Sequence, residues 1–139
     1  MKTMNAYLIF PGTCEEALNF YQNSIGGEIP SLMRFSDAPM PVAEENAQRV
    51  MHAEFRCGDI YFMASDSMPE NPDSAGSNVR LSIALDDAAE QERMFNALSD
   101  GGTVEMALAD TFWGARFGML TDRYGINWML NYELPKENA

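Results

Sequence analysis

This chain is short of the side chains that most often carry chemistry. It has one histidine, two cysteines and two tryptophans in 139 residues, and only nine lysines and arginines against 21 aspartates and glutamates. A formal charge of −12 repels phosphate backbones and anionic lipid, which argues against nucleic acid and membrane partners. It would draw in a cationic ligand, although solubility is the plainer reason for such a surface. No stretch approaches the ~20 apolar residues needed to span a bilayer. The apolar run near the N-terminus, Ala6 to Phe10, is too short for a signal-peptide core. Cys14 and Cys57 lie far apart and fit no metal or redox spacing, so a reducing, cytoplasmic setting is expected.

What is present is an ordinary globular balance, 46% hydrophobic and 22% charged residues, with eleven methionines that suit a soft core or a ligand cavity. The most informative stretch is Asp110 to Tyr132. Ala115 to Thr121 reads as a strand, Asp122-Arg123-Tyr124-Gly125 as a turn, and Ile126, Trp128, Leu130 and Tyr132 as one face of a return strand. Phe112 and Trp113, beside Gly114, stand at the mouth of this hairpin.

Two similar modules follow from the rest of the pattern. Ala6–Phe10 reads as a strand closed by Pro11-Gly12. Thr13 and Glu16 have the spacing of a capping box, and Cys14, Ala17, Leu18, Tyr21 and Ile25 form a helix stripe stopped by Gly26-Gly27. Glu28 to Phe35 is a strand whose Pro30 demands an edge or a bulge. Val50 to Cys57 alternates cleanly, and Ile60 to Ser65 returns after Gly58-Asp59. The segment 67–78 reads as a linker. Then Val79 to Leu85 is a strand, Asp87 a helix cap, Gln91, Met94, Phe95 and Leu98 a second stripe, and Thr103 to Ala109 a strand before the hairpin. The order βαβββ, linker, βαβββ places module one at about 4–66 and module two at about 79–133 of a single α+β domain, and residues 136–139 read as a frayed tail.

A duplicated βαβββ chain resembles the vicinal oxygen chelate superfamily, which includes glyoxalase I, bleomycin-resistance proteins, fosfomycin-resistance enzymes and extradiol dioxygenases. YLIFPGTCEEALNFY, MHAEFRCGDIYFMASDSMP and TFWGARFGMLTDRYGINWMLN resemble its PhnB-like branch, which carries a 3-demethylubiquinone methyltransferase-like label. The resemblance implies a curved mixed sheet around a cleft, helices outside, a small-molecule ligand and a homodimer. It does not imply a settled reaction, and no glycine-rich turn follows a strand here to hold a methyl-donor cofactor.

Metal-using members take His and Glu ligands from the first and last strands of each module. The matching positions are Asn5, Tyr7, Ile9; Tyr61, Met63, Ser65; Arg80, Ser82, Ala84; and Asn127, Met129, Asn131. None is His, Asp, Glu or Cys, so no metal is expected and metal-dependent lyase or dioxygenase chemistry is disfavoured. His52 and Glu54 remain on one strand face, where the carboxylate can orient the imidazole as a general base. The alternative is a structural histidine. Tyr7, Arg56, Phe112, Trp113 and Arg116 are the expected ligand contacts, set against core packing for the aromatics and charge balance for the arginines. Two functions stay open: a metal-independent enzyme with His52 as base, or a non-catalytic protein that sequesters its ligand as bleomycin-resistance proteins do.

Overall fold

A computed structural model describes residues 2–70, 75, 76 and 78–135. Part of the expected linker (71–74 and 77) and the expected tail (136–139) lie outside the described residues. The chain divides between Ser74 and Ala75 into two compact units, each with its own sheet and helix.

The first unit contains β1 (Ala6–Phe10), α1 (Cys14–Ile25), β2 (Glu28–Arg34), β3 (Val50–Cys57) and β4 (Ile60–Asp66). Its sheet runs β1-β4-β3-β2, with β1 parallel to β4 and the remaining pairs antiparallel. The expected stripe is the buried face of α1: Cys14, Ala17, Leu18, Tyr21 and Ile25 all pack inward, with Ser24 beside them. Tyr21 meets Phe55 and Phe62 edge-on at ring centroid distances of 6.5 and 6.0 Å, and those two stack at 4.9 Å on paired positions of β3 and β4. Burying each such ring is worth about 1.5–3 kcal/mol, and the ring geometry adds about 0.5–1.5 kcal/mol per pair. Pro30 sits where both expectations for it meet: β2 is an edge strand, and its register shifts between Glu28 and Ser31.

The start of α1 corrects the capping-box expectation. Thr13 makes no side-chain cap bond. Asp66, at the end of β4 and paired with Phe10, takes the role instead. Its Oδ1 accepts from the backbone N–H of Gly12 (3.1 Å) and of Cys14 (2.8 Å), and its Oδ2 from that of Val50 (2.9 Å). A full negative charge at a helix N-terminus outcompetes a hydroxyl, both as acceptor and against the helix dipole.

The second unit repeats the plan with β5 (Leu81–Leu85), α2 (Ala88–Ser99), β6 (Thr103–Asp110), β7 (Ala115–Thr121) and β8 (Asn127–Glu133), in the order β5-β8-β7-β6. β5 is again parallel to β8. Asp87 caps α2 as expected, accepting from Ala89 N–H (2.8 Å) and Glu90 N–H (3.2 Å). Gln91, Met94, Phe95 and Leu98 are buried, matching the second stripe. β5 begins two residues later than expected, because the Asn127 side chain donates to the carbonyls of Gly76 (2.8 Å) and Val79 (3.1 Å) and holds that approach out of the ladder.

Gly27 and Gly102, the second glycine after each helix, explain the repeated Gly-Gly signal. A Cβ on Gly27 would overlap the Arg56 carbonyl oxygen at the end of β3, and one on Gly102 would overlap that of Thr121 at the end of β7. Close approach of backbone to backbone is what each helix-to-strand connection needs there.

Candidate functional site

Strand alternation decides what each sheet offers on the face away from its helix. In the first unit Ala53, Phe55, Phe62 and Ala64 are buried on the α1 side. The opposite face carries Tyr7 and Ile9 on β1, Met63 and Ser65 on β4, and His52 and Glu54 on β3, which are half-buried or exposed. Register sets Tyr7 beside Met63 and Met63 beside Glu54, so these form a row across three strands.

On that face Tyr7 Oη lies 3.1 Å from His52 Nδ1, with ring centroids 5.7 Å apart and planes tilted by 39°. The imidazole is therefore held by a phenol from β1, two strands away, and not by Glu54 on its own strand. Glu54 makes no hydrogen bond or ion pair among the described residues. Which group donates depends on the imidazole tautomer. Nε2 receives no partner from the described residues. Arg56 is exposed, with its guanidinium 5.0 Å from the centre of the Tyr61 ring, a cation–π contact within reach of any anionic group on this face.

In the second unit the loop between β6 and β7 lifts two aromatics into solvent. Phe112 is 97% exposed and Trp113 57% exposed, which removes core packing as their role within this chain. They meet edge-to-face at 5.0 Å, and Trp113 meets Phe117 in the same way at 5.8 Å. The loop is closed by Thr111 and Ala115 (2.8 Å) and joined to the strand end by Leu134 N–H to Gly114 O (3.0 Å). Beside Trp113 is a cavity of about 450 Å³ lined by Ala115, Asn131, Glu133, Leu134 and Pro135. The sequence pointed to Trp113, and to Asn131 only as a position on the last strand, but not to Glu133 or the chain after β8. Register was the missing signal, since Ala115 pairs with Glu133 and Phe117 with Asn131.

Arg116 stands apart from these aromatics. Alternation turns it to the α2 side, where Nη1 reaches Ala88 O at 3.4 Å and Nη2 lies 3.9 Å from Glu92 Oε1. Arg80 pairs with Glu105. Both arginines balance charge on their own unit.

Cys14 is closed as a nucleophile. Burial first, then the negative charges of Asp66 and Glu15, push its thiol up to about 12, so it stays protonated at neutral pH despite its place at a helix start. A metal is no better served. Among the described residues no group of three or more His, Cys, Asp and Glu could hold one. On the open face of the first unit no third donor gathers with His52 and Glu54 among the described residues, and three protein ligands is the usual minimum.

The profile of the 3-demethylubiquinone-9 3-methyltransferase family matches residues 2–131. The chain is 41% identical to protein PA1353 from Pseudomonas aeruginosa, with a TM-score of 0.88 over 97% of this chain and 100% of that one. It is 29% identical to a putative 3-demethylubiquinone-9 3-methyltransferase, PhnB protein, from Bacillus cereus, with a TM-score of 0.79 over 94% and 99% of the two chains. Protein YjdN of Escherichia coli (strain K12) is 32% identical over 92% of this chain and 93% of its own length. The profile match and these relatives together establish that the chain belongs to the 3-demethylubiquinone-9 3-methyltransferase family, which includes PhnB-like proteins, and its paired βαβββ units have the vicinal oxygen chelate fold.

Proposed function

We propose that this protein binds a small, partly apolar molecule on the open sheet face of its first unit, and that His52, held by Tyr7, accepts a proton from it without a metal. The observation that carries this reading is the 3.1 Å contact between Tyr7 Oη and His52 Nδ1 on a face no helix covers. In the tautomer with the proton on Nδ1, the ring N–H donates to the tyrosine oxygen and Nε2 keeps the lone pair that a base requires. Once Nε2 takes a proton, the same N–H···O bond persists and fixes the imidazolium. Glu54 lies on the same face, two residues along the strand.

Methyl transfer, carried in the family's description, finds little support in these residues. Asp66 accepts from the Cys14 N–H at the start of α1 and Asp87 from those of Ala89 and Glu90 at the start of α2, so each helix start already holds a carboxylate where a cofactor's anionic group would have to sit. No glycine-rich turn follows a strand.

The test uses the chain's single histidine, which gives a single set of imidazole C–H signals in proton NMR. Compounds that move those signals are then assayed for turnover. His52→Ala is expected to lower turnover by about 10²–10⁴-fold, the usual contribution of a positioned base, with the melting temperature unchanged. Tyr7→Phe is expected to lower it less. Equal turnover with and without His52 sinks the enzymatic reading. The exposed Phe112–Trp113 pair favours the second reading, a non-catalytic protein that sequesters its ligand, and binding without any turnover would select it.

A further inference from the structure

We propose that the cavity beside Trp113 takes an organic cation: an ammonium group carried on a compact apolar or planar body. This rests on the small-molecule reading above and names the ligand class for the second unit's cavity.

The charge of the cavity is one-sided. Glu133 is the one charged side chain among its lining residues, and it forms no ion pair with the described residues. The arginines of the same unit are engaged elsewhere: Arg80 with Glu105, Arg93 with Glu90, Arg116 with Glu92 and Arg123 with Asp100. A carboxylate that meets no cation among the described residues, in a concavity next to an indole, offers two attractions of the same sign to a positive guest. The carboxylate supplies Coulomb energy, and the ring supplies its negative π-face. Trp113 is already held by its edge contacts with Phe112 and Phe117, so less side-chain freedom is lost on binding.

The remaining wall decides the rest of the ligand. Ala115, Leu134 and Pro135 are apolar, and the Asn131 amide can accept an N–H or donate to an oxygen. About 450 Å³ lies within the usual range for small-molecule sites and suits one ring or a short chain beside the charged head. An anion is disfavoured twice, by Glu133 and by the −12 charge of the whole chain.

The experiment measures binding of benzyltrimethylammonium to the full chain by calorimetry, with benzyl alcohol and benzoate as neutral and anionic counterparts. The expected result is a preference of about tenfold or more for the cation over either counterpart. Glu133→Gln should weaken the cation about three- to tenfold and leave benzyl alcohol unchanged. Trp113→Leu should weaken the cation by a similar factor, and His52→Ala should leave it unchanged. Glu133 and Trp113 are both exposed, so neither substitution threatens the fold. The proposal is overturned if the wild-type chain does not bind the cation, if benzoate binds as well, or if Glu133→Gln has no effect. Equal binding of all three probes would remove the cation preference while leaving the small-molecule reading standing. Cation binding that survives alongside a catalytically silent His52→Ala would leave this proposal standing and remove the enzymatic reading.

Discussion

The two cysteines separate cleanly by environment. Cys14 is buried with its thiol pushed up to about 12 from an ordinary 9.0, whereas Cys57 is half-buried at the end of β3. At pH 8 without denaturant, iodoacetamide should add once, at Cys57, with Cys14 modified only after unfolding. Equal rates by mass spectrometry would contradict the burial argument. The raised value also fixes a sign. Below pH 9 the thiol is neutral in both states and stability is whole. Between 9 and 12 the unfolded thiol ionises while the folded one keeps its proton, so stability falls as pH rises through that window. Cys14→Ala should lack that part of the alkaline slope. At this scale the sequence made Cys14 legible, because its place on the apolar stripe is a local fact. It made His52 legible as a candidate, being the lone imidazole, but not its partner. Tyr7 is 45 positions away and reaches His52 only through the β1-β4-β3 pairing, which no local pattern encodes.

Elements were legible wherever they depend on period. Both helix stripes, the β3 alternation and the last hairpin follow from spacings of 3.6 and 2, and the turn at Asp122–Gly125 closes as its residues imply. Where an element's end depends on a distant residue, the local pattern misled. Thr13 and Glu16 have the right spacing for a capping box, yet Asp66 arrives from β4 and takes the N–H groups. Arg116 followed the aromatics in sequence, yet alternation sends it to the other face of β7. The Asp66 account yields a contrast. Asp66→Asn replaces one carboxylate oxygen with an N–H₂ facing a backbone N–H, and should cost about 1–3 kcal/mol of stability. Thr13→Ala removes no bond and should stay within about 0.5 kcal/mol. Denaturant midpoints of both variants decide it, and equal losses would return the cap to Thr13.

For the molecule as a whole, the duplication was readable because each unit repeats its own helix signal, Gly-Gly stop and final hairpin. The charge balance was equally plain, and it makes a prediction in which two effects compete. Five arginines sit in ion pairs, all at least partly exposed, and salt should weaken each by a share of the 0–1 kcal/mol that such pairs are worth. Against this stand 21 carboxylates and nine lysines and arginines, so carboxylates outnumber cations by more than two to one. Their mutual repulsion acts on the folded chain more than on the expanded one, and is cut off once the screening length drops to about 8 Å near 0.15 M salt. Repulsion has more terms than attraction here, so the melting temperature should rise by a few degrees as sodium chloride goes from about 0.01 to about 0.15 M. Arg34 with Glu15 works against that trend, because its hydrogen bonds hold the Glu15 carboxyl below its ordinary range. That contribution is present above the ordinary carboxylate range and is lost as pH falls through the lowered folded value. Glu15→Gln should therefore steepen the stabilisation by salt at neutral pH and make no difference to it in strong acid. A melting temperature that falls with added salt in the wild-type chain would mean that the ion pairs, few as they are, outweigh the excess of negative charge.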